Sequence, residues 1–456
     1  MSGHKGSNIT RIATLLEAFD GANTPLPTGV LLSRAGLTRA TGFALIRALV
    51  AKGWLLRADH GLLQLGPATA RLMYSPLEPA LAHGTAAPRL MAQPQAQTGP
   101  VPEDMPGEMP GDDWQSALTE TVDTSGFMRP GPVRIGFSNA SLSNPWRAAL
   151  LASMRYSQRL YADRLEEVLM RSADDDPALQ LQQIDELVSA GIDLLIISCT
   201  HSAAPAINAR LRALAEAGLP IVAVDRRPSD AACLVSFATA SDRRIGRICA
   251  QWMIERLGFS GRIWMLSGVE GASPAIRRQA AALASFAAHP GITVETVSYT
   301  GWTDAGGYRA VDRLLAQGSP PPDGVWCDSG LQGVGSLQRF VETGGPLPIH
   351  TGGDLNRMYK LALHHKLPFV AVDYPAAMGG RAIEVALDIL AGRPVQRRIE
   401  VPAPVVLPRG QETRNIRADI WAETHVGWGL PDDAILSQGP SVRDLAFTAD
   451  GGGSGD

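Results

Sequence analysis

From Val133 onward the chain alternates short β-rich runs with amphipathic stretches, and no other feature restricts its fold as strongly. The runs read "VRIGF", "LLIIS", "IVAVD", "RIWML", "GVWCD" and "FVAVD". Between most of them lie segments of helical period such as "ALQLQQIDELVSAG", "APAINARLRALAEAG" and "AGGYRAVDRLLAQG". Strands separated by helices pair as parallel neighbours, with the helices covering both faces of the sheet. In open sheets of this kind ligands bind beyond the carboxyl ends of the strands. The residues that follow each run are therefore the first candidates for a site.

A length of 456 residues allows two or three domains, each with its own core. The net charge of -4 argues against the whole molecule being a polyanion binder, but it averages an asymmetry. Residues 1–75 carry Lys5, Arg11, Arg34, Arg39, Arg47, Lys52, Arg57 and Arg71 against Glu17, Asp20 and Asp59. Residues 76–131 reverse the balance. A basic head on an acidic tether points toward nucleic acid. Cys199, Cys233, Cys249 and Cys327 are far apart and form no CxxC pair, so buried, reduced thiols are expected, with no metal site and no cofactor. "MSGHKGSNIT" lacks the apolar core of a signal peptide, and no run approaches the ~20 apolar residues of a membrane span. This predicts a cytoplasmic protein with no membrane partner.

In the head, "NITRIATLLEAFDG" places Ile12, Leu15, Leu16 and Phe19 on one helical face. "TGVLLSRAG" predicts a short helix ending at Gly36, and "LTRATGFALIRALVAKG" a third helix with Thr38 as N-cap and Gly53 as its stop. "WLLRADHGLLQLG" reads as two strands about a His-Gly turn. Three helices and a hairpin make a winged helix-turn-helix. Residues 7–66 resemble the DNA-binding head of the IclR family, on the pattern "GLTRATGFALIRALVAKGWLL…LQLG". The resemblance implies that Arg39, Thr41, Phe43 and Arg47 face the major groove of an operator DNA. Ala44 stands where the family usually has a basic residue, and Gly42 weakens the helix by up to about 1 kcal/mol.

Residues 76–131 are rich in Pro, Gly, Gln and acidic residues without a sustained period, which predicts a largely mobile linker. Within it, Asp112 and Asp113 suit the N-terminus of a short helix through "DDWQSALTETV". The expected division is a DNA-binding domain at 1–75, the linker at 76–131, a two-lobed effector domain at 132–440 and a disordered tail at 441–456.

The body, Val133 to about Pro408, resembles the type I periplasmic sugar-binding proteins and the effector domains of Lac-repressor-type regulators, most closely the ribose-binding branch. The loop after the first strand reads Asn144, Pro145, Trp146, matching an Asn-Pro-aromatic pattern. "VDRRP" supplies Asp225 and Arg226 at a ligand-binding Asp-Arg pair. "GASPAIRRQAAAL" offers Arg278, or its neighbour Arg277, for a pocket arginine. "TGWTDAGGYRA" offers Trp302 as a stacking aromatic. Asp328 and Ser329 stand at a site usually held by Asn-Asp, Asp354 follows "TGG", and Asp373 stands where the family often has Gln. The chemistry is coherent by itself, because a sugar needs flat aromatic walls and a rim of charged donors and acceptors. The resemblance implies an α/β, two-lobed fold behind a small winged helix-turn-helix. Arg147 and Gly353 replace frequent aromatics, and Asp373 replaces an amide. The pocket thereby gains charge, so a polyol, an amino-bearing sugar or another polar small molecule fits as well as ribose.

The reading that follows is a transcriptional regulator, expected to be a homodimer on two half-sites, whose DNA binding is controlled by a sugar-like effector. The alternatives are a solute-binding protein of a carbohydrate uptake system and an enzyme acting on a polar small molecule. No GxSxG elbow, P-loop or clustered His/Cys set supports catalysis, so a non-enzyme is expected. The stretch "RADIWAETHVGWGLPDDAILSQG" lies beyond the resemblance and either packs on the body or completes a dimer surface.

Overall fold

The computed structural model describes residues 118–442, together with 12, 14–16, 18–19, 26–52, 54–57 and 62–65. Most of the expected linker, the His60-Gly61 turn, Gly53 and the tail beyond 442 lie outside the described residues. The chain forms two compact units that divide at residue 96.

In the first unit, helix Thr28–Arg34 ends before Gly36, which takes a φ of 61°, and helix Arg39–Ala51 follows. Strands β1 (Leu55–Arg57) and β2 (Leu63–Leu65) pair antiparallel, Leu55 opposite Leu65. Leu15, Phe19, Leu31, Ile46, Leu49, Leu55 and Leu63 form the core. Gly42 is buried, and a Cβ there would stand 2.1 Å from Leu32 Cδ2. The glycine that weakens the helix is thus the one that lets the neighbouring helix approach. Thr41 is half-buried, its hydroxyl 3.2 Å from that of Thr38, while Phe43 is 44% exposed and Arg47 is exposed. Arg39 is the first residue of its helix.

The second unit holds two sheets. The first contains β4 (Val133–Asn139), β5 (Leu165–Ser172), β6 (Leu194–Ile197), β7 (Ile221–Val224), β8 (Ser236–Thr239) and β15 (Arg398–Glu400), in the order β15-β8-β7-β6-β4-β5. Every pairing in it is parallel. The second contains β9 (Gly261–Ser267), β10 (Ile292–Tyr299), β11 (Gly324–Cys327), β12 (Ile349–Thr351), β13 (Phe369–Val372), β16 (Val405–Leu407) and β17 (Ile420–Trp421), in the order β10-β9-β11-β12-β13-β16-β17. Central strands such as "LLII" and "FVAV" are buried at every position, as strands covered on both faces must be. Trp252, Trp264 and Trp326 lie in the interior, and all four cysteines are buried and free.

The chain crosses between the lobes at 240–241, 373–377 and 401–404. Two further pieces join the body. Strand β3 (Thr121–Val122) pairs antiparallel with β14 (Val395–Gln396), and Arg397 meets Glu120 at 2.6 Å. Residues 119–122 are thus turn and strand rather than the helix expected there, because β14 offers their backbone a partner. The stretch after 409 packs on the body: β17 extends the second sheet beside β16, and helix Ala422–His425 follows.

Candidate functional site

Several helices of the body begin with a capped turn right after a strand, and these turns face the cleft. Asn144 Oδ1 accepts from Arg147 N at the start of helix Pro145–Leu160. Thr303 and Ser329 cap helices Asp304–Ala316 and Gly330–Thr343 in the same way. Between the lobes these ends border a cavity, about 320 Å³ of empty space with its open mouth included, lined by Asn144, Trp146, Arg147, Asp225, Pro274, Arg278, Trp302, Ser329, Leu331, Asp354 and Tyr374. Trp146 Nε1 of the first lobe donates to Tyr374 O in the crossing at 2.9 Å, and Arg227 N of the first lobe donates to Ser273 Oγ of the second at 3.3 Å.

Three lining residues are held at positive φ without being glycine: Asp225 (61°), Trp302 (53°) and Asp354 (78°). Such conformations cost about 1–3 kcal/mol each and persist only where the surroundings enforce them. Asp225 N donates to Ala238 O, and the Asp354 carboxylate accepts from Tyr374 N. For Trp302 the lock is its indole, which donates to Asp328 Oδ1 at 2.9 Å.

Charge in the cavity is arranged in two groups. In the first lobe Arg147 Nη2 meets Asp225 Oδ2 at 2.7 Å and its Nη1 donates to Ser198 Oγ at 2.9 Å. Burial, reinforced by the Arg226 charge, lowers the Arg147 pKa to about 10 against the pull of Asp225. In the second lobe Arg278 Nε meets Asp242 Oδ1 at 2.9 Å, and its guanidinium lies 4.1 Å from the Tyr374 ring centroid. Burial opposes the Arg278 charge, but Asp242 and its neighbours outweigh it and hold the pKa above the ordinary value. Burial pushes Asp354 well above the usual carboxylate range, and the adjacent Asp373 charge adds to this.

Seven of the ten residues expected from the sequence line the cavity: Asn144, Trp146, Asp225, Arg278, Trp302, Ser329 and Asp354. Arg278, rather than the half-buried Arg277, is the lining arginine. The other three stand behind this layer. Arg226 is bound through Nη1 to Asp175 Oδ1 at 2.7 Å, and its guanidinium lies 5.3 Å from the Trp302 ring centroid. Asp328 spends its oxygens on Gly268 N, Trp302 Nε1 and Gln332 Nε2. Asp373 receives Asp354 N at 2.7 Å, His425 Nε2 at 2.6 Å and the Tyr359 hydroxyl. These two carboxylates fix Trp302 and Asp354 in place.

Four lining residues were not nominated. Arg147 carries the signal of a charge beside the Asn-Pro-Trp motif. Tyr374 follows Asp373 at a strand's carboxyl end, and Pro274 and Leu331 open helices that face the cleft. The strand-end rule, applied without regard to polarity, would have reached them.

Residues 135–394 match the family described as "Periplasmic binding protein domain". The ribose import binding protein RbsB of Bacillus subtilis is 27% identical over 270 residues, 59% of this chain and 85% of that protein. A xylitol-binding protein of Mycolicibacterium smegmatis is 26% identical over 178 residues, 39% of this chain, which spans half of that relative's length. Among solved structures, an ABC transporter solute binding protein from Bacillus halodurans with bound myo-inositol superposes with a TM-score of 0.57 at 20% identity, covering 62% of this chain and 97% of that one. These are binding proteins rather than enzymes, in agreement with the expectation of a non-catalytic chain. The expectation of a cytoplasmic protein is overturned, because the relatives are import and solute-binding proteins of a family described as periplasmic. With a match that spans more than half of its length, over both lobes and the cavity between them, this chain belongs to the periplasmic binding protein domain family.

Proposed function

We propose that the protein binds a small sugar or polyol between its lobes, without chemical turnover, as the solute-binding component of an uptake system. The observation that carries this reading is the composition of the cavity wall. Trp146 and Trp302 supply apolar faces for C–H surfaces, while Asp225, Arg278, Asp354, Asn144 and Ser329 supply donors and acceptors for a rim of hydroxyls. The relatives named for ribose and xylitol support the same ligand class. The test is calorimetry and thermal unfolding of the full chain with D-ribose, xylitol and myo-inositol. A binding probe at 100 times its Kd stabilises the body by about 2.7 kcal/mol, and Trp146→Ala abolishes the shift. A folded protein that responds to none of the three, nor to a wider panel of neutral sugars, refutes the proposal.

A second reading rests on one observation in the first unit. Helix Arg39–Ala51, followed by an antiparallel hairpin, exposes Phe43 and Arg47 on one side. In this reading the unit is an IclR-type head that binds operator DNA as a homodimer, and the sugar is its effector. Duplex binding by fluorescence anisotropy between 50 and 200 mM salt tests it. Arg47→Ala then lowers affinity and relaxes sequence preference, while wild-type affinity falls as salt rises. Salt-independent or absent binding leaves the uptake reading alone.

A further inference from the structure

The stretch after β16 lies outside the region matched by the family, yet it reaches the back of the cavity. It is anchored in the second lobe. Strand β17 pairs with β16, and Lys360 Nζ holds Asp432 at 2.8 Å. Asn356 Nδ2 donates to Gly427 O at 2.8 Å and Pro431 O at 3.0 Å, while Asn356 N donates to Ala434 O at 2.9 Å. From there the chain runs over the crossing at 373–377. Leu436 N donates to Asp354 O at 3.0 Å, and Ala377 N to Ser437 O at 3.1 Å. The Ser437 hydroxyl lies 2.8 Å from Tyr374 O, 3.3 Å from Asp354 Oδ1 and 3.4 Å from Ala376 N. The closing turn, Leu436–Ser441, packs on helix Pro145–Leu160 of the first lobe, which carries Trp146 and Arg147.

Tyr374 O is the junction. It accepts from Trp146 in the first lobe and from Ser437, and its own ring stacks on Trp146 at 5.2 Å. A segment held by the second lobe, lying on the crossing and seated on a helix of the first, resists any rotation of the lobes that separates these groups. We infer that residues 420–441 form a strap across the hinge that holds the ligand site in its closed geometry, with Ser437 as a positioning residue for Asp354 and Tyr374. The effect on affinity rests on the proposed sugar-binding role; the effect on the hinge does not.

The experiment uses the full chain and compares Ser437→Ala with Ser437→Thr, which keeps the hydroxyl. One readout is amide hydrogen exchange at Tyr374, Ala376 and Ala377. The other is affinity for whichever of D-ribose, xylitol and myo-inositol the wild type binds. Ser437→Ala is expected to speed exchange at these amides and to weaken binding about five- to tenfold, the scale of one lost hydrogen bond. Ser437→Thr is expected to restore both. Unchanged exchange in Ser437→Ala overturns the strap, and faster exchange with unchanged affinity overturns the positioning role of Ser437. If no probe binds the wild type, the ligand reading fails and the strap is judged on exchange alone. If Ser437→Ala does not fold, the wild type is followed by exchange in rising denaturant. Residues 374–377 and 436–437 must then open as one unit, and independent opening refutes the strap.

Discussion

Replacing Asp225 by Asn removes a buried charge while sparing the backbone, because Asn tolerates the φ of 61° as Asp does. What remains is a guanidinium pair in the interior. The Arg147 and Arg226 side chains are 2% and 1% exposed, and Arg147 loses its partner at 2.7 Å. Breaking a buried ion pair from one side costs about 3–5 kcal/mol. The lower end is expected here, about 3 kcal/mol, because Arg147 keeps Ser198 and Arg226 keeps Asp175. Urea unfolding of the full chain measures this as a lower midpoint for the body at unchanged slope. The double variant Arg147→Met with Asp225→Asn removes the stranded charge, so it should recover at least about 1 kcal/mol over the sum of the single changes. If Asp225→Asn falls within about 0.5 kcal/mol of the wild type, or if the two changes simply add, the two charges do not compensate each other as argued.

Three further outcomes are expected. A Cβ at Gly268 would stand 1.9 Å from Trp302 Cε2, so Gly268→Ala pushes the indole off Asp328 and weakens a bound probe about tenfold; an unchanged Kd by calorimetry excludes Trp302 from the ligand wall. A Cβ at Gly335 would stand 1.8 Å from Asp304 O, so Gly335→Ala forces helices Asp304–Ala316 and Gly330–Thr343 apart and costs about 1–3 kcal/mol, read from the unfolding midpoint. The third concerns His425, which faces Asp373 and the edge of the Tyr359 ring, with Asp354 behind them. Burial works against its charge, but Asp373 wins and raises its pKa above 6.5. Its contribution to stability is therefore complete below pH 6.5 and is lost as pH rises through the raised value. Burial likewise opposes the Asp373 charge, but His425 outweighs it and holds the carboxyl below 3.8, so that contribution is present above pH 3.8 and fails only in stronger acid. His425→Gln should flatten the decline of stability above pH 6.5, and a profile identical to that of the wild type would refute the pairing.

Much of the architecture was legible because it is local. Parallel strands buried on both faces must be short apolar runs, and the helices that cover them must be amphipathic, so the alternation after Val133 determined a parallel α/β arrangement, while its division into two lobes came from the family resemblance. The resemblance to the sugar-binding family, read at the positions where the strand-end rule looks for ligands, then nominated Trp146, Asp225, Trp302 and Asp354, each of which lines the cavity. That rule says where a side chain stands, not which way it turns. Asp354 and Asp373 follow neighbouring strands of one sheet. One faces the cavity and the other is turned behind it by Tyr359 and by His425, which is 52 residues away in sequence. Asp328 is drawn in the same way by Gln332 and Trp302. The pairing of β3 with β14, and the reach of Ser437 to Asp354 across 83 residues, likewise leave no local period. Periodicity records only which face of an element is buried. Whether a buried charge meets a ligand or another residue depends on partners that folding alone brings together.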